Sequence, residues 1–322
     1  VTRLVAIDIG GTHARFALAD VSGGAIAMGE VVKLHTEDFA SFQTAWEEFV
    51  RRSGGTVPRA AAIAIAGPVG DELIRFTNNP WTIRPAAVAS QLGIEQVTLI
   101  NDFGAIAHAV ARAHEDDFLH LCGPDEPLPQ RGRLSILGPG TGLGVAHLWR
   151  SGDGYYRVQA TEGGHVDFAP VDAIDDAILA RLRKRHRRVS VERVVSGPGI
   201  VDIHQTLAAL EGRAVVEEDD VVLWQRGTTG EDSLAAAAVD RFCLSLGSFA
   251  GDLALVHGAE GVVVAGGLGY RIRDTLLASG FAERFRAKGR FESMVGKIPV
   301  KLIIHPEPGL FGAAAAFAME HT

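Results

Sequence analysis

One pattern occurs twice in this chain, and it leaves few folds open. An apolar run meets a glycine turn and then resumes, first in LVAIDIGGTHARFALA (Leu4–Ala19) and again in LSILGPGTGLGVAHLW (Leu134–Trp149). Each copy is followed by a later apolar strand that ends in glycine, IAIAGPVG at Ile63–Gly70 and VVVAGGLG at Val262–Gly269. A strand, a tight glycine turn and a return strand read as a β-hairpin. Its recurrence predicts two related α/β domains facing each other across a cleft. A length of 322 residues suits two domains of ordinary size. The expected division is a smaller domain over 1–112, completed by 303–322, and a larger one over 113–302, with Gly123–Pro129 as a surface loop near the join. The last strand, Val300–Ile304, and the helix after it are expected to cross back to the first domain.

Helical spacing of Phe39, Phe42, Trp46, Phe49 and Val50 predicts a helix over Glu37–Arg52, with Thr36 as its N-cap. Gln96–Ile100 reads as a strand, and Asp102 falls at its C-terminal end before an Ala-rich helix near Phe103–His114. A long helix is expected from Glu231 to about His257, with small residues at its contacts. The formal charge of −8 argues against a nucleic-acid partner, which calls for a basic face. Cys122 and Cys243 stand far apart with no CxxC motif or Cys/His cluster nearby, which predicts reduced thiols, a cytoplasmic setting and no structural zinc. No apolar run is read as long enough to span a membrane. The basic run Arg181–Arg188 reads as a solvated face, with the acidic run Glu217–Asp220 as a possible counter-charge, and Trp149 and Trp224 read as packing residues.

Phosphate binding needs several N–H donors converging on one point, and glycine gives the backbone that freedom. DIGGT offers Gly10, Gly11 and Thr12, while GPGTG offers Gly138, Gly140, Thr141 and Gly142. Each turn alone is either a phosphate cradle or a plain hairpin bend. Two at equivalent points of a duplicated unit favour the cradle. Neither is a Walker A loop or a Rossmann fingerprint, because no GxxxxGK[ST] occurs and Leu143 stands where the third glycine would be needed. Asp8 ends a buried strand just before the first turn. Burying a carboxylate is costly without a partner, and Mg²⁺, directly or through water, is one candidate; capping of its own turn is the other.

A carboxylate that accepts the proton of a sugar hydroxyl is the usual remedy for a poor oxygen nucleophile. Asp102 is placed for that task, at the end of a strand where α/β proteins bind ligands, although a helix N-cap is the plainer reading. Asn101 precedes it, TNNPW (Thr77–Trp81) adds Asn79 among its amides, and Glu162, His165 and Glu192 add groups that can hold paired hydroxyls. Hydroxyl binders together with phosphate turns point to phosphoryl transfer onto a polyol.

In their order, DIGGT, TNNPW, NDF, GPGTGLGVAHL, EGGHVDFAP, ERVVSGPG, VAGG and PGLFGAAA resemble the bacterial glucokinases of the proteobacterial, non-ROK type over essentially the whole chain. The resemblance implies ATP-dependent phosphorylation of glucose at its 6-hydroxyl, with Mg²⁺, as the first step of glycolysis. It implies a two-domain actin-like (ribonuclease-H-like) fold, commonly a homodimer; the mechanism expected on this reading has the domains rotate together once the sugar is bound. By the matching motifs Asp102 is the catalytic base, Asn101, Glu162, His165 and Glu192 are sugar ligands, and Gly266 and Gly267 form the adenosine-side glycine pair. His13 departs from the pattern, which has Asn there; His tolerates left-handed turn geometry. Other hexoses and other phosphoryl donors remain open on the motifs. A sugar-sensing regulator would need a DNA-binding extension, which a strand beginning by Leu4 leaves no room for. An actin-like assembly ATPase would have no use for the hydroxyl binders.

Overall fold

The computed structural model describes every residue except Pro68, Asp71, Thr77, Asn78, Val216 and Thr322. Its contacts fall into two compact units, Val1–Ala113 with His305–Thr322, and His114–Ile304.

In the first unit β1 (Thr2–Ile9), β2 (His13–Ser22), β3 (Ala25–Met28) and β4 (Val32–His35) are joined by two strands arriving later, β5 (Ala60–Ile65) and β6 (Gln96–Asn101). The sheet order is β3-β2-β1-β5-β6, with β4 also on β2. β1–β2–β3 run antiparallel, whereas β5 and β6 lie parallel to β1. Period-2 alternation splits β1 between two cores. Val5, Ile7 and Ile9 pack with Phe16, Trp46 and Phe49, while Leu4 and Ala6 pack with Ala105, Leu310 and Phe317. The C-terminal helix, Pro308–His321, supplies that second face and crosses the helix Asp102–Arg112 at close range. A Cβ on Gly312 would overlap the carbonyl oxygen of Ala105, so only glycine allows this crossing.

The second unit repeats the arrangement. β7 (Phe118–Cys122), β8 (Arg131–Pro139), β9 (Leu143–Ser151), β10 (Tyr156–Thr161), β11 (Gly261–Val264) and β12 (Val300–Ile303) form one sheet in the order β10-β9-β8-β11-β12-β7. Again a three-stranded antiparallel meander is continued by two parallel strands, β11 and β12. The hairpin turns of both units therefore sit at the same topological point, at the C-terminal end of the first strand. The fold is the duplicated mixed-sheet α/β architecture that the repeat predicts.

Several local expectations need correction. Ser41, not Thr36, caps the helix Phe42–Arg52, through a capping box with Thr44; Thr36 opens a separate 3-10 turn. The strand Val300–Ile303 stays in the second unit, because its partners are β11 and β7, and only the C-terminal helix joins the first. Helix Ser233–His257 is long and apolar enough to cross a membrane, against the expectation, yet most of it is buried in the second unit. Trp224 packs against Phe242, but Trp149 is exposed on the sheet. Arg181, Arg185 and Arg188 pair with Asp202 and Asp167, so the acidic run is not their counter-charge; Glu218 pairs with Arg226 instead.

Two outcomes follow for the first unit. Gly312→Ala should cost about 1–3 kcal/mol by overpacking, read as a lower denaturant midpoint with unchanged slope. His108, in the Asp102–Arg112 helix, is held down to a pKa of about 4 by burial and secondarily by the charge of Arg112. The unfolded chain takes up this proton near 6.5, so stability drains as pH falls from about 6.5 to about 4. His108→Asn should flatten the pH dependence of Tm in that window.

Candidate active site

The first glycine turn is tied down through its carbonyls. Gly10 O accepts from Asn79 Nδ2 at 3.3 Å, Gly11 O from Thr36 Oγ1 at 2.9 Å, and Thr12 O from Thr36 N–H at 3.0 Å. Among the described residues, the N–H groups of Gly11 and Thr12 donate to no acceptor. A turn with its carbonyls engaged and its N–H groups spare presents positive dipole ends, as an anion cradle requires. Gly10 and its neighbours do not lie in the left-handed region, however; among the described residues no non-glycine residue does either, so His13 needs no unusual backbone and simply opens β2. Its ring lies 4.3 Å from that of His35. Burial, reinforced by Lys33, His35 and Arg15, pushes the His13 pKa down.

Asp8 finds a protein partner that sequence reading overlooked. Arg15 Nη1 lies 3.2 Å from Asp8 Oδ2, and Arg15 Nε lies 3.4 Å from Glu307. The hairpin register pairs Asp8 with Arg15 directly, so the motif itself contained this contact; Glu307 comes from the far end of the chain and left no such trace. Gly309, at the start of the C-terminal helix, makes room for the Asp8 carboxylate: a Cβ there would stand 2.8 Å from Oδ2. Burial raises the pKa of Asp8, and Arg15 offsets this only in part while Glu307 adds to it. The site remains short of positive charge, which is the condition that a divalent cation relieves. A single carboxylate with phosphate oxygens and waters is an ordinary Mg²⁺ environment, so these residues fit the ion.

At the end of β6, Asn101 is the helix cap, its Oδ1 accepting from the N–H groups of Phe103 (2.9 Å) and Gly104 (3.1 Å). Its Nδ2 donates to Gly67 O at 3.1 Å. The capping role weighed for Asp102 therefore belongs to Asn101. Asp102 is the first helical residue, and its Oδ1 accepts from Phe103 N–H at 2.8 Å. Asn79 is buried and carries the first turn through its amide, while its Oδ1 accepts from Trp81 N–H at 2.9 Å. That is a structural task, beside the sugar contact expected of it. The neighbouring Asn78 lies outside the described residues.

The second unit gathers the remaining residues around its own turn. Gly140 O accepts from Gly197 N–H at 2.7 Å and Gly142 O from Gly140 N–H at 2.8 Å, whereas the N–H groups of Thr141 and Gly142 have no acceptor among the described residues. Gly266, at φ 88°, packs against the strand leading into this turn, where a Cβ would meet Pro139 O at 2.9 Å. That contact brings Gly266 and Gly267 alongside Gly138–Gly142. Glu162 and His165 flank a 3-10 turn that lies directly on β9, with Cβ atoms on Gly163 or Gly164 colliding with Val145 or Leu143. His165 Nε2 is 3.9 Å from Glu162 Oε2, and its Nδ1 is 3.9 Å from Glu192 Oε1. Both gaps exceed a hydrogen bond but can be bridged by a hydroxyl between them.

Each unit has a ribonuclease-H-like sheet whose first hairpin turn offers spare N–H groups. Together with the relatives they define a sugar kinase of the actin-like ATPase fold. The glucokinase family profile matches residues 4–320. Similar proteins include the glucokinase of Zymomonas mobilis, 57% identical over 99% of this chain and 98% of that protein, and that of Caulobacter vibrioides, 44% identical over 97% and 94%. Among solved structures, a glucokinase from an Antarctic psychrotroph superposes with a TM-score of 0.86 at 33% identity, covering 99% of both chains. The fold is shared with a Balamuthia mandrillaris glucokinase in complex with glucose (TM-score 0.80, 22% identity, 98% of this chain and 94% of that one). It is shared also with a ROK-family glucokinase from Streptomyces griseus in complex with glucose and AMPPNP (0.63, 19%, 97% and 98%). The chain belongs to the glucokinase family, and it is an enzyme of glucose phosphorylation.

Gly164→Ala should displace the Glu162–His165 turn, lowering stability by about 1–3 kcal/mol and raising the KM for glucose at least tenfold. Gly267→Ala, with open space at its Cβ, should leave the unfolding midpoint unchanged. Paired denaturation and kinetic measurements check both.

Proposed function

We propose that the chain transfers the γ-phosphoryl group of ATP to the 6-hydroxyl of glucose, with Asp102 as general base and Asn101, Glu162, His165 and Glu192 holding the other hydroxyls. The observation that carries this reading is the division of labour at the end of β6. Asn101 satisfies the helix N-terminus, so the Asp102 carboxylate is not required as a cap. The helix N-terminus favours negative charge on Asp102, the form in which a carboxylate accepts a proton. As the 6-oxygen attacks the γ-phosphorus in line, its proton passes to Asp102 and the β–γ bridging oxygen leaves with ADP.

The spare N–H groups of Gly11, Thr12, Thr141 and Gly142 suit the oxygens of the donor phosphates, with Gly10, Gly138, Gly140, Gly266 and Gly267 giving the backbone room. Asp8 is the residue that would hold Mg²⁺, directly or through water. The ion would neutralise charge on the phosphate oxygens. The AMPPNP in the Streptomyces griseus protein supports an adenosine triphosphate donor for this fold. Because the turns read phosphate rather than adenine, donor competition between ATP, ADP and polyphosphate is the measurement that fixes the donor.

The decisive assay is ATP consumption with and without glucose. Asp102→Asn should lower kcat by about 10²–10⁴-fold, the range for loss of a general base, while glucose still binds. Turnover at the wild-type rate would remove Asp102 from its role.

A further inference from the structure

The hydroxyl-binding residues and the donor turn of the second unit are one hydrogen-bonded piece. Glu192 stands at their junction, half-buried, with its two oxygens divided between two tasks. Oε2 accepts the N–H of Leu143 at 2.9 Å, the residue that closes the Gly138–Gly142 turn. Oε1 faces His165 Nδ1 across 3.9 Å. Gly142 exists as glycine to permit this reach, since a Cβ there would stand 2.5 Å from Oε2. Five residues after Glu192, Gly197 donates to Gly140 O at 2.7 Å and is itself anchored by Trp224 Nε1, 2.9 Å from its carbonyl. Gly164 presses on the carbonyl of Leu143 from the other side. The spare N–H groups of Thr141 and Gly142 thus lie between two points fixed by the sugar-side segments.

We infer that Glu192 is a positioning residue for the donor turn: a sugar hydroxyl that donates to Glu192 Oε1 fixes the carboxylate so that Oε2 holds Leu143 N–H and sets the turn for phosphate, whereas His165 only helps to hold the sugar. This rests on the hydroxyl-ligand reading of Glu162, His165 and Glu192 given above, and adds a consequence that a plain ligand set lacks. A ligand shifts an equilibrium only by its differential affinity for two states. Glucose prefers the state with the carboxylate fixed, and the donor prefers the state with the turn fixed; Glu192 makes these the same state. The coupling is reciprocal, so the donor tightens glucose by the same factor.

His165 separates this device from the effect of simply binding sugar, because its ring makes no hydrogen bond to the turn among the described residues. The experiment measures the affinity of the full chain for AMPPNP with and without saturating glucose, and for glucose alone, by calorimetry. In the wild type, glucose should tighten AMPPNP by about 5-fold or more. Glu192→Ala should weaken glucose and bring that factor close to one. His165→Ala should weaken glucose yet keep the wild-type factor. Glu192→Gln, which retains an acceptor oxygen for Leu143 N–H, should recover most of the coupling lost in the alanine variant. Full coupling in Glu192→Ala, or an equal loss in His165→Ala, overturns the inference while leaving the hydroxyl-ligand reading in place. Unchanged glucose affinity in all three variants overturns both.

Discussion

Backbone packed directly on backbone is the constraint from which the rest of this structure follows. The 3-10 turn bearing Glu162 and His165 lies against β9, with Gly163 on the Val145 side chain and Gly164 on the Leu143 carbonyl, and that same Leu143 carbonyl belongs to the residue whose N–H is held by Glu192. Interiors are close-packed and transmit displacement, so a shift at one of these segments is felt at the others. In the first unit the crossing at Gly312 and Ala105 has the same character, fixing the helix that begins at Asp102 against the helix that begins beside Asp8. Glycine here acts less as a source of unusual dihedral angles than as an absence of volume.

That distinction qualifies how the glycine turns achieve their chemistry. Gly10, Gly140 and Gly142 have φ outside the left-handed region, so conformational licence is not what they contribute. The turns gain their anion-seeking polarity because carbonyls are occupied by Thr36, Asn79, Gly197 and Gly140, which leaves neighbouring N–H groups outward. Thr36, distant in sequence from the first turn, holds two of its carbonyls and so belongs to that turn as much as the residues within it.

The fold was legible because its strongest signal is a repeat. The hairpins at Leu4–Ala19 and Leu134–Trp149 appear as β1–β2 and β8–β9, and the glycine-ended strands as β5 and β11 at equivalent sheet positions. Boundaries were less so: Ser41 took the cap from Thr36 because Thr44 completes a reciprocal box, and β12 stayed with β11 because strand pairing outweighs chain order. Near the end of β6 the sequence offered Asn101 and Asp102 together, and which of them caps the helix could not be read, since both residues are good caps. Arg15 was readable from hairpin register alone, whereas Glu307 and the hydrogen bond from Leu143 to Glu192 depend on tertiary approach that no local pattern encodes.

Helix Ser233–His257 combines the length of a lipid-crossing segment with a guanidinium, Arg241, that the fold buries. Two aspartates made earlier, Asp172 and Asp175, receive it, with Arg241 Nη1 2.6 Å from Asp172, and they are shared with Arg284, made later. The helix also offers Gly247 and Gly251 as landing points for the backbone of Phe281 and Phe285. A charge at the middle of a lipid-crossing segment is costly; here two carboxylates and a neighbouring guanidinium make the same charge part of the packed interior, so the apolar rod is tied to its own protein by ion pairs as well as by burial.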